Sequence, residues 1–287
     1  MKIEFTKMHG CGNDYIYIDC FEQKILNASK FAKDFSNRHF GIGADGVICL
    51  YPSKIADGKM EMYNADGSIG NMCGNGIRCI AKLLYDNNHI EKNKKEITIE
   101  TKSGIKTLTP TYEKSKIKTL TVNMGAPIFA PEQIPVNTSL LPPEYNKQII
   151  NFPIKIKNSV YQCTCLSMGN PHCVTIVKGL DTLNLNEIGP YFENNEFFPN
   201  RVNTEFIQII DNKTIKMRVW ERGSGETLAC GTGACAACVA LCKLGKLQLN
   251  QENTVKLLGG DLKINYTGKT VFMTGDAVEV FKGYVEI

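Results

Sequence analysis

The stretch ACGTGACAACVALC, residues 229–242, carries four cysteines at positions 230, 235, 238 and 242. Thiols at this C-x4-C-x2-C-x3-C spacing can hold an iron–sulfur cluster or a zinc ion. A single thiol can instead ionise and act as a nucleophile or as a base that moves a proton. The two chemistries need different surroundings, so the elements that carry these cysteines decide between them.

The chain matches itself at an offset of 157 residues. KMEMYN at 59–64 aligns with KMRVWE at 216–221, and CGNG at 73–76 aligns with CGTG at 230–233. The same register holds over about ninety residues, which chance does not explain. We therefore predict two copies of one fold, with PPEYNKQIINFP as an irregular connection between them.

Local patterns give each copy the same elements. ITIETKSGIKTLTP and TIKMRVWER alternate with period two, which is typical of strands, and ASKFAKDFSNRH has helical periodicity. A helix-period segment follows each CG-x-G motif. The predicted class is α+β: two pseudo-symmetric domains, each a strand-rich mixed sheet or barrel around a central helix. The expected limits are 1–118, completed by a strand at 276–287, and 119–275, with an active site in the cleft between the domains.

The repeat separates the four cysteines of the first stretch. Cys230 aligns with Cys73, whereas Cys235 aligns with Arg78. Cys235, Cys238 and Cys242 follow helical spacing among alanines, and free cysteine packs well as a small apolar side chain. This pattern favours three packing thiols over metal ligands, although a metal centre stays open as an alternative.

Cys73 and Cys230 each stand immediately before a predicted helix. The unpaired N–H groups and the positive end of the helix dipole favour a thiolate there, so we expect a lowered pKa for both thiols. The same N–H groups can hold a carboxylate, and the glycines let a ligand approach the backbone closely. Two such thiols on opposite faces of one carbon could remove and return a proton and so invert the centre. The alternative is a pair of Gly-rich helix starts with buried thiols.

Composition excludes several other classes of function. The net charge is +4, and only five of the 33 basic residues are arginines, while the lysines are scattered along the chain. This pattern is typical of a solvated surface and speaks against nucleic acid as a partner. The first residues, MKIEFTKMHG, lack the apolar core of a signal peptide, and no apolar run reaches bilayer length. We therefore expect a cytoplasmic protein with reduced thiols and no membrane association.

The chain resembles the diaminopimelate epimerase family, whose motifs occur here in family order over nearly the whole length: HGCGND, GIGADG, YNADGS, MCGNGIRC, SMGNPHCV, RVNTEF and WERGSGETLACGTGACA. The resemblance implies a pyridoxal-phosphate-independent enzyme that interconverts LL- and meso-diaminopimelate, feeding lysine and peptidoglycan synthesis. It implies no cofactor, no metal and a homodimer. The proline racemase family shares the two-cysteine fold, but its first motif usually contains CGHG where this chain has CGNG.

By this resemblance Cys73 and Cys230 are the acid/base pair, and His172 and Glu221 tune their pKa values. The implied substrate contacts are Asn13, Asn64, Gly74, Asn75, Asn170, Asn203, Glu221, Arg222, Gly231 and Thr232. Arg222 offers a bidentate donor for a carboxylate, and Glu221 an anion for an ammonium group. Some relatives have a substrate-contacting Gln at the position of Gly46, and glycine cannot make that contact.

Three further hypotheses concern the same residues. His172 and Cys173 could form a nucleophile pair, but adjacent strand residues point to opposite faces. GIGADG matches the dinucleotide pattern, yet it follows a predicted helix and precedes a strand, the reverse of the fingerprint. Finally, Cys73 and Cys230 could oxidise reversibly to an inactive disulfide.

Overall fold

A computed structural model describes residues 2–70 and 72–287. Its four α-helices are α1 (Ala28–Phe35), α2 (Gly74–Asp86), α3 (Leu185–Glu193) and α4 (Gly231–Lys243). Its strands are β1 (Lys2–Gly10), β2 (Asn13–Asp19), β3 (Gly46–Tyr51), β4 (Gly58–Asn64), β5 (Ile69–Gly70), β6 (Ile97–Thr101), β7 (Gly104–Glu113), β8 (Lys116–Gly125), β9 (Ile149–Ile156), β10 (Ser159–Ser167), β11 (Pro171–Ile176), β12 (Asn203–Ile209), β13 (Thr214–Glu221), β14 (Gly225–Thr227), β15 (Glu252–Leu257), β16 (Gly260–Tyr266), β17 (Val271–Gly275) and β18 (Val278–Glu286).

The repeat seen in the sequence is present in the structure. A shift of 157 residues carries β1 onto β10 and α2 onto α4, with identical bounds in both cases. The same shift brings α1 onto α3 and β3 onto β12 to within a residue at their ends. The predicted α+β class and the two-fold repeat of a strand-rich mixed sheet are confirmed.

The chain divides into two compact units: Met1–Asn123 with Thr274–Ile287, and Met124–Met273. In the first unit, β1 lies between β18 and β2, both antiparallel to it. The sheet continues through β3, parallel to β2, to β4, and β6 runs parallel to β4. Helix α2 is buried along almost its whole length, with Ile77, Ile80 and Leu84 inaccessible to solvent.

The second unit repeats this mixed pattern. Strand β10 pairs with β9 and β11, and β11 lies parallel to β12. Strand β13 is antiparallel to β12 and parallel to β15. Helix α4 presents Cys235, Cys238 and neighbouring alanines to a fully buried environment.

One expectation about the connection is wrong. PPEYNKQIINFP was expected to be irregular, but its last residues begin β9, which pairs along β10 as β18 pairs along β1. The period-two alternation covers only Phe152, Ile154 and Ile156, since Ile149 is three residues before Phe152, so only the pairing with β10 reveals the whole strand. The domain limits expected from the repeat, and an active site between the domains, stay predictions.

Candidate active site

Cys73 is the N-cap residue of α2. Its Sγ accepts a hydrogen bond from the backbone N–H of Gly76 at 3.3 Å, in the way that a serine or aspartate oxygen usually caps a helix. The extended backbone of Cys73 and the helical backbone that follows leave the next N–H groups at the start of α2 without partners inside the helix. The thiol is half-buried, so it is within reach of a bound molecule.

A chain of polar contacts fixes the Asn13 side chain beside this thiol. The Cys73 thiol donates to Oδ1 of Asn13 at 3.1 Å, and Nδ2 of Asn13 donates to Asp45 at 2.7 Å. Arg38 holds Asp45 in turn, with Nη2 2.9 Å from the carboxylate. Burial and the neighbouring Cys73 raise the pKa of Tyr15, which therefore stays a neutral phenol beside the thiol.

The start of α2 is braced from within the first unit. Arg78 is fully buried, and its guanidinium donates to the carbonyl of Gly74 and to Oδ1 of Asn75, both at 3.1 Å. Its Nε donates to the carbonyl of Asp276 at 2.9 Å. These contacts hold Asn75 at the start of the helix. Asn64, another predicted substrate contact, is the last residue of β4, and its Nδ2 donates to the hydroxyl of Ser68 at 2.9 Å.

Cys230 occupies the equivalent place in the second unit. It is the N-cap residue of α4, and its Sγ accepts from the backbone N–H of Gly233 at 3.3 Å, the same distance as in the first unit. The hydroxyl of Thr232 lies 3.5 Å from the sulfur. Gly231 opens the helix and is buried. Both predicted helix starts are thus confirmed.

The expected lowering of the thiol pKa is wrong for Cys230. Burial raises its pKa well above the ordinary 9.0, and the carboxylates of Glu221 and Glu205 raise it further. The Thr232 hydroxyl and the Gly233 N–H act in the opposite direction without overcoming these effects. Cys230 is therefore a protonated thiol at neutral pH, a form suited to giving a proton.

His172 lies in a buried polar group with Glu205, one of the two carboxylates that act on Cys230. Its Nδ1 is 2.7 Å from Oε1 of Glu205, and its Nε2 is 3.0 Å from Oδ1 of Asn170. Its neighbour Cys173 faces the other way, toward the thiols of Cys163 and Cys165. The Cys–His nucleophile pair considered from the sequence is thus absent from this strand.

The remaining predicted contacts gather at the ends of β12 and β13. Asn203 accepts from the backbone N–H of Arg222 at 2.8 Å and donates to Pro171 at 3.2 Å. The hydroxyl of Thr227 donates to Oε1 of Glu221. The guanidinium of Arg222 is exposed, and its Nη1 donates to the carbonyl of Asn200 at 3.0 Å.

Other cysteines and loops have structural roles. Cys235 and Cys238 are fully buried and Cys242 is partly buried, as packing thiols should be. Within residues 2–70 and 72–287, no group of three His, Cys, Asp or Glu side chains could hold a metal ion. The GIGADG segment follows α1 and leads into β3, the order that argues against a dinucleotide site.

Gly46 has no room for a side chain on this backbone. A Cβ atom there would lie 2.1 Å from the carbonyl oxygen of Tyr63 in the neighbouring strand. The side-chain contact made by Gln in some relatives is therefore unavailable at this position.

Sequence reasoning missed several residues that shape the site. Glu205 and Asp45 touch predicted site residues from distant parts of the chain, and Arg78 contacts Gly74 and Asn75 from the next turn of α2. The repeat contained a usable signal for Glu205, because its counterpart at the 157-residue offset is Ile48, an apolar core residue. A carboxylate in the place of a core residue indicates a special environment.

Comparison with known proteins supports one assignment. The family model for diaminopimelate epimerase matches residues 5–130 and 164–280. A protein named diaminopimelate epimerase from Acetivibrio thermocellus is 50% identical over 288 residues, covering 99% of both chains. Another of that name from Methanococcus maripaludis is 49% identical, covering 99% of this chain and all of its own.

Solved structures share the fold at low sequence identity. A hydroxyproline epimerase from Agrobacterium vitis superposes with a TM-score of 0.69 at 14% identity, covering 99% of this chain and 92% of its own. A Bacillus anthracis phenazine biosynthesis protein of the PhzF family gives 0.71 at 18% identity over the full length of both chains. The fold is thus shared widely, whereas the sequence match is specific: this chain belongs to the diaminopimelate epimerase family.

Proposed function

We propose that this chain is an isomerase that interconverts LL- and meso-diaminopimelate without a cofactor. The observation that carries the proposal is the pair of thiols at equivalent helix N-caps, Cys73 on α2 and Cys230 on α4. Relatives about 50% identical over the full length carry the name of this activity. We place the reaction in lysine and peptidoglycan-precursor synthesis.

The proposed reaction uses two bases. One sulfur, as thiolate, takes the proton from the α-carbon, and the other, as thiol, gives its proton to the opposite face of the same carbon. One C–H bond breaks and one forms, so the centre inverts and the two sulfurs exchange protonation states. Because the raised pKa of Cys230 keeps it protonated, we assign Cys230 as the proton donor and Cys73 as the base, once Cys73 has released to solvent the proton that its thiol donates to Asn13.

Backbone N–H groups at the helix starts hold the reacting carboxylate in this proposal. Gly74 and Asn75 open α2, and Gly231 and Thr232 open α4, where N–H groups have no partner within the helix. They would also stabilise the enolate-like charge that develops when the proton leaves. Asn13 and Asn170 are proposed to bind the same end of the substrate.

The distal amino-acid end of the substrate needs groups of both charges. Arg222 can pair with its carboxylate, and Glu221 with its ammonium group. Asn64 and Asn203 supply amide donors and acceptors at the ends of β4 and β12. This set selects a substrate with two amino-acid ends over proline, which lacks a distal end.

Substitution of single thiols tests the proposal. We expect Cys73→Ala and Cys230→Ala each to lower the rate of meso-diaminopimelate formation at least about 10²-fold, because each removes one proton-transfer group. Cys79→Ala is the matched control: Cys79 is a buried thiol of α2 whose counterpart in α4 is already Ala236. Chiral chromatography of the products from LL-diaminopimelate and from proline measures both activity and substrate choice. Full activity in either Cys73→Ala or Cys230→Ala would overturn the proposed roles.

We also propose a cytoplasmic homodimer. Among the described residues no helix has the length and apolarity needed to cross a membrane. Val280, Phe281 and Tyr284 of β18 are large apolar side chains that are exposed on one chain, and a second copy could cover them. Sedimentation equilibrium would give twice the mass of one chain if the proposal holds, and one chain mass if it fails.

A further inference from the structure

Glu205 is a buried carboxyl group with an incomplete set of partners. It belongs to β12 and is 0% exposed. Its Oε1 lies 2.7 Å from Nδ1 of His172, while its Oε2 has no hydrogen-bond partner among the described residues. Burying a carboxyl group costs free energy, and one hydrogen bond offsets only part of that cost. Such a group in a core position indicates a role other than packing.

Glu205 acts on Asn170 through the imidazole between them. Nε2 of His172 faces Oδ1 of Asn170 at 3.0 Å, and in this orientation of the amide Nε2 is the donor and carries a hydrogen. On the other side of the ring, Nδ1 of His172 and Oε1 of Glu205 share one proton in their hydrogen bond. The bond forms whether that proton is on the nitrogen or on the oxygen. Glu205 thus fixes the ring with Nε2–H toward Asn170, and the Asn170 amide turns its Nδ2 away from His172.

The first unit has the opposite arrangement. The counterparts of His172 and Glu205 at the 157-residue offset are Tyr15 and Ile48. The first unit therefore has neither an imidazole nor a carboxylate at these two positions. Asn13, the counterpart of Asn170, gives its Nδ2 to Asp45 and turns its Oδ1 to the thiol of Cys73. One half therefore offers an amide oxygen where the other offers an amide N–H₂.

Glu205 also lies directly beneath the start of α4. A Cβ atom at Gly233 would come within 2.6 Å of Oε1 of Glu205 and 3.2 Å of Sγ of Cys230. The corresponding Cβ at Gly76 would meet Cδ1 of Ile48. The carboxyl group is thus close to one thiol, and an isoleucine takes its place near the other.

We propose that Glu205 is a positioning residue that makes the two halves inequivalent: through His172 it fixes the Asn170 amide for substrate, and it places a carboxyl group beside the Cys230 thiol, where the first unit has Ile48. This inference rests on the proposed epimerase function.

Several other ionisable groups lie close enough to this carboxyl group to interact with it electrostatically. His172 and Cys173 come from β11, Cys165 from β10, Glu221 from β13, and Cys230 from the start of α4. Burial raises the pKa of the Glu205 carboxyl, the His172 imidazole opposes that rise, and Glu221 adds to it. Burial and Glu221 also raise the pKa of Cys230. Removing Glu205 should therefore lower the pKa of this thiol without returning it to the usual value for cysteine.

The pH profile of Glu205→Gln separates positioning from mere stability. Removing a negative charge beside a thiol lowers its pKa, so the limb of the kcat/KM profile that belongs to Cys230 should move to lower pH. We expect kcat/KM at the optimum to fall about 10- to 100-fold, because a misplaced substrate-binding amide also misplaces the reacting carbon. In a His172→Asn background the same change should cost less than about twofold, because both residues act through one chain of contacts.

Ile48→Val is the matched control, since it changes the equivalent position beneath α2 and should leave the limb in place. An unmoved limb in Glu205→Gln, together with additive losses in the double variant, would overturn the inference. A wild-type protein with no epimerase activity would instead overturn the proposed function.

Nitrogen-15 NMR of the four histidines in the wild-type protein tests Glu205 without any variant of it. We expect the His172 signals, assigned with His172→Asn, to show a protonated Nε2 at neutral pH, because Nε2 donates to Oδ1 of Asn170. A His172 ring with Nε2 unprotonated at neutral pH would contradict the inference, whether or not the Glu205 variants fold.

Discussion

At the scale of single residues, sulfur replaces oxygen as the cap of two helices. Cys73 and Cys230 each accept one backbone N–H at 3.3 Å, which fixes the direction of the thiol relative to its helix. The sequence predicted this placement, because a cysteine before a glycine-rich helix start can face only the first N–H groups. It could not predict the pKa of Cys230, since the deciding carboxylates, Glu205 and Glu221, come from other strands.

The ionisation of Cys230 is a testable property of that environment. The pKa of Cys230 is raised above 9.0, so its thiolate should be absent at pH 8 and should form only at higher pH. Absorbance near 240 nm reports thiolate, and the difference between wild type and Cys230→Ala isolates this one group. We expect the difference to stay near zero through pH 9 and to grow above it. A difference already complete at pH 8 would show a lowered pKa and contradict the assignment of Cys230 as the resting proton donor.

At the scale of elements, α2 and α4 are the same helix in two settings. Both have thirteen residues, and both have a glycine three residues after the capping cysteine, Gly76 and Gly233. The group that packs against this glycine differs between the two helices. It is the terminal methyl group of Ile48 in α2 and the carboxyl group of Glu205 in α4. Helical glycine is otherwise less favourable than alanine by about 1 kcal/mol, so close packing explains the glycine at both positions.

The two glycines should therefore respond differently to alanine. In Gly233→Ala the new methyl group meets Oε1 of Glu205 at 2.6 Å, a group anchored by His172, so Glu205 or Cys230 must move. In Gly76→Ala it meets the flexible end of Ile48. We expect kcat/KM for epimerisation to fall about tenfold or more in Gly233→Ala, and several-fold less in Gly76→Ala, in line with sub-ångström misplacement of a reacting group. Equal losses in the two variants would show that the carboxyl group is not rigidly held.

The sequence predicted elements well where periodicity or the repeat supplied two independent signals. Helices α2 and α4 and strands β4 and β13 fall in this class, since each has a counterpart 157 residues away. Strand β9 was missed because its pattern is short and its pairing with β10 is a tertiary contact. Arg78 was missed as a brace of α2 because one of its acceptors, the carbonyl of Asp276, becomes a neighbour only in the folded chain.

At the scale of the whole molecule, one fold occurs twice along the chain with different contents. The second copy has His172, Glu205 and Glu221 where the first has Tyr15, Ile48 and Asn64. The repeat supplies two helix-capping thiols, and in the second copy burial, Glu221 and Glu205 raise the pKa of Cys230. A two-base reaction needs both features, because one group must take a proton while the other already holds one.

The most direct test of this account is the position of deuterium early in the reaction. LL-diaminopimelate is incubated with the enzyme in deuterium oxide until less than about one-tenth is converted. Substrate and product are then separated, and mass spectrometry measures the deuterium content of each. Two bases predict that the meso product carries one solvent deuterium at the α-carbon while the recovered LL substrate carries none, because each sulfur serves its own face. Equal deuterium in recovered substrate and product would show a single base acting on both faces and would contradict the two-thiol mechanism.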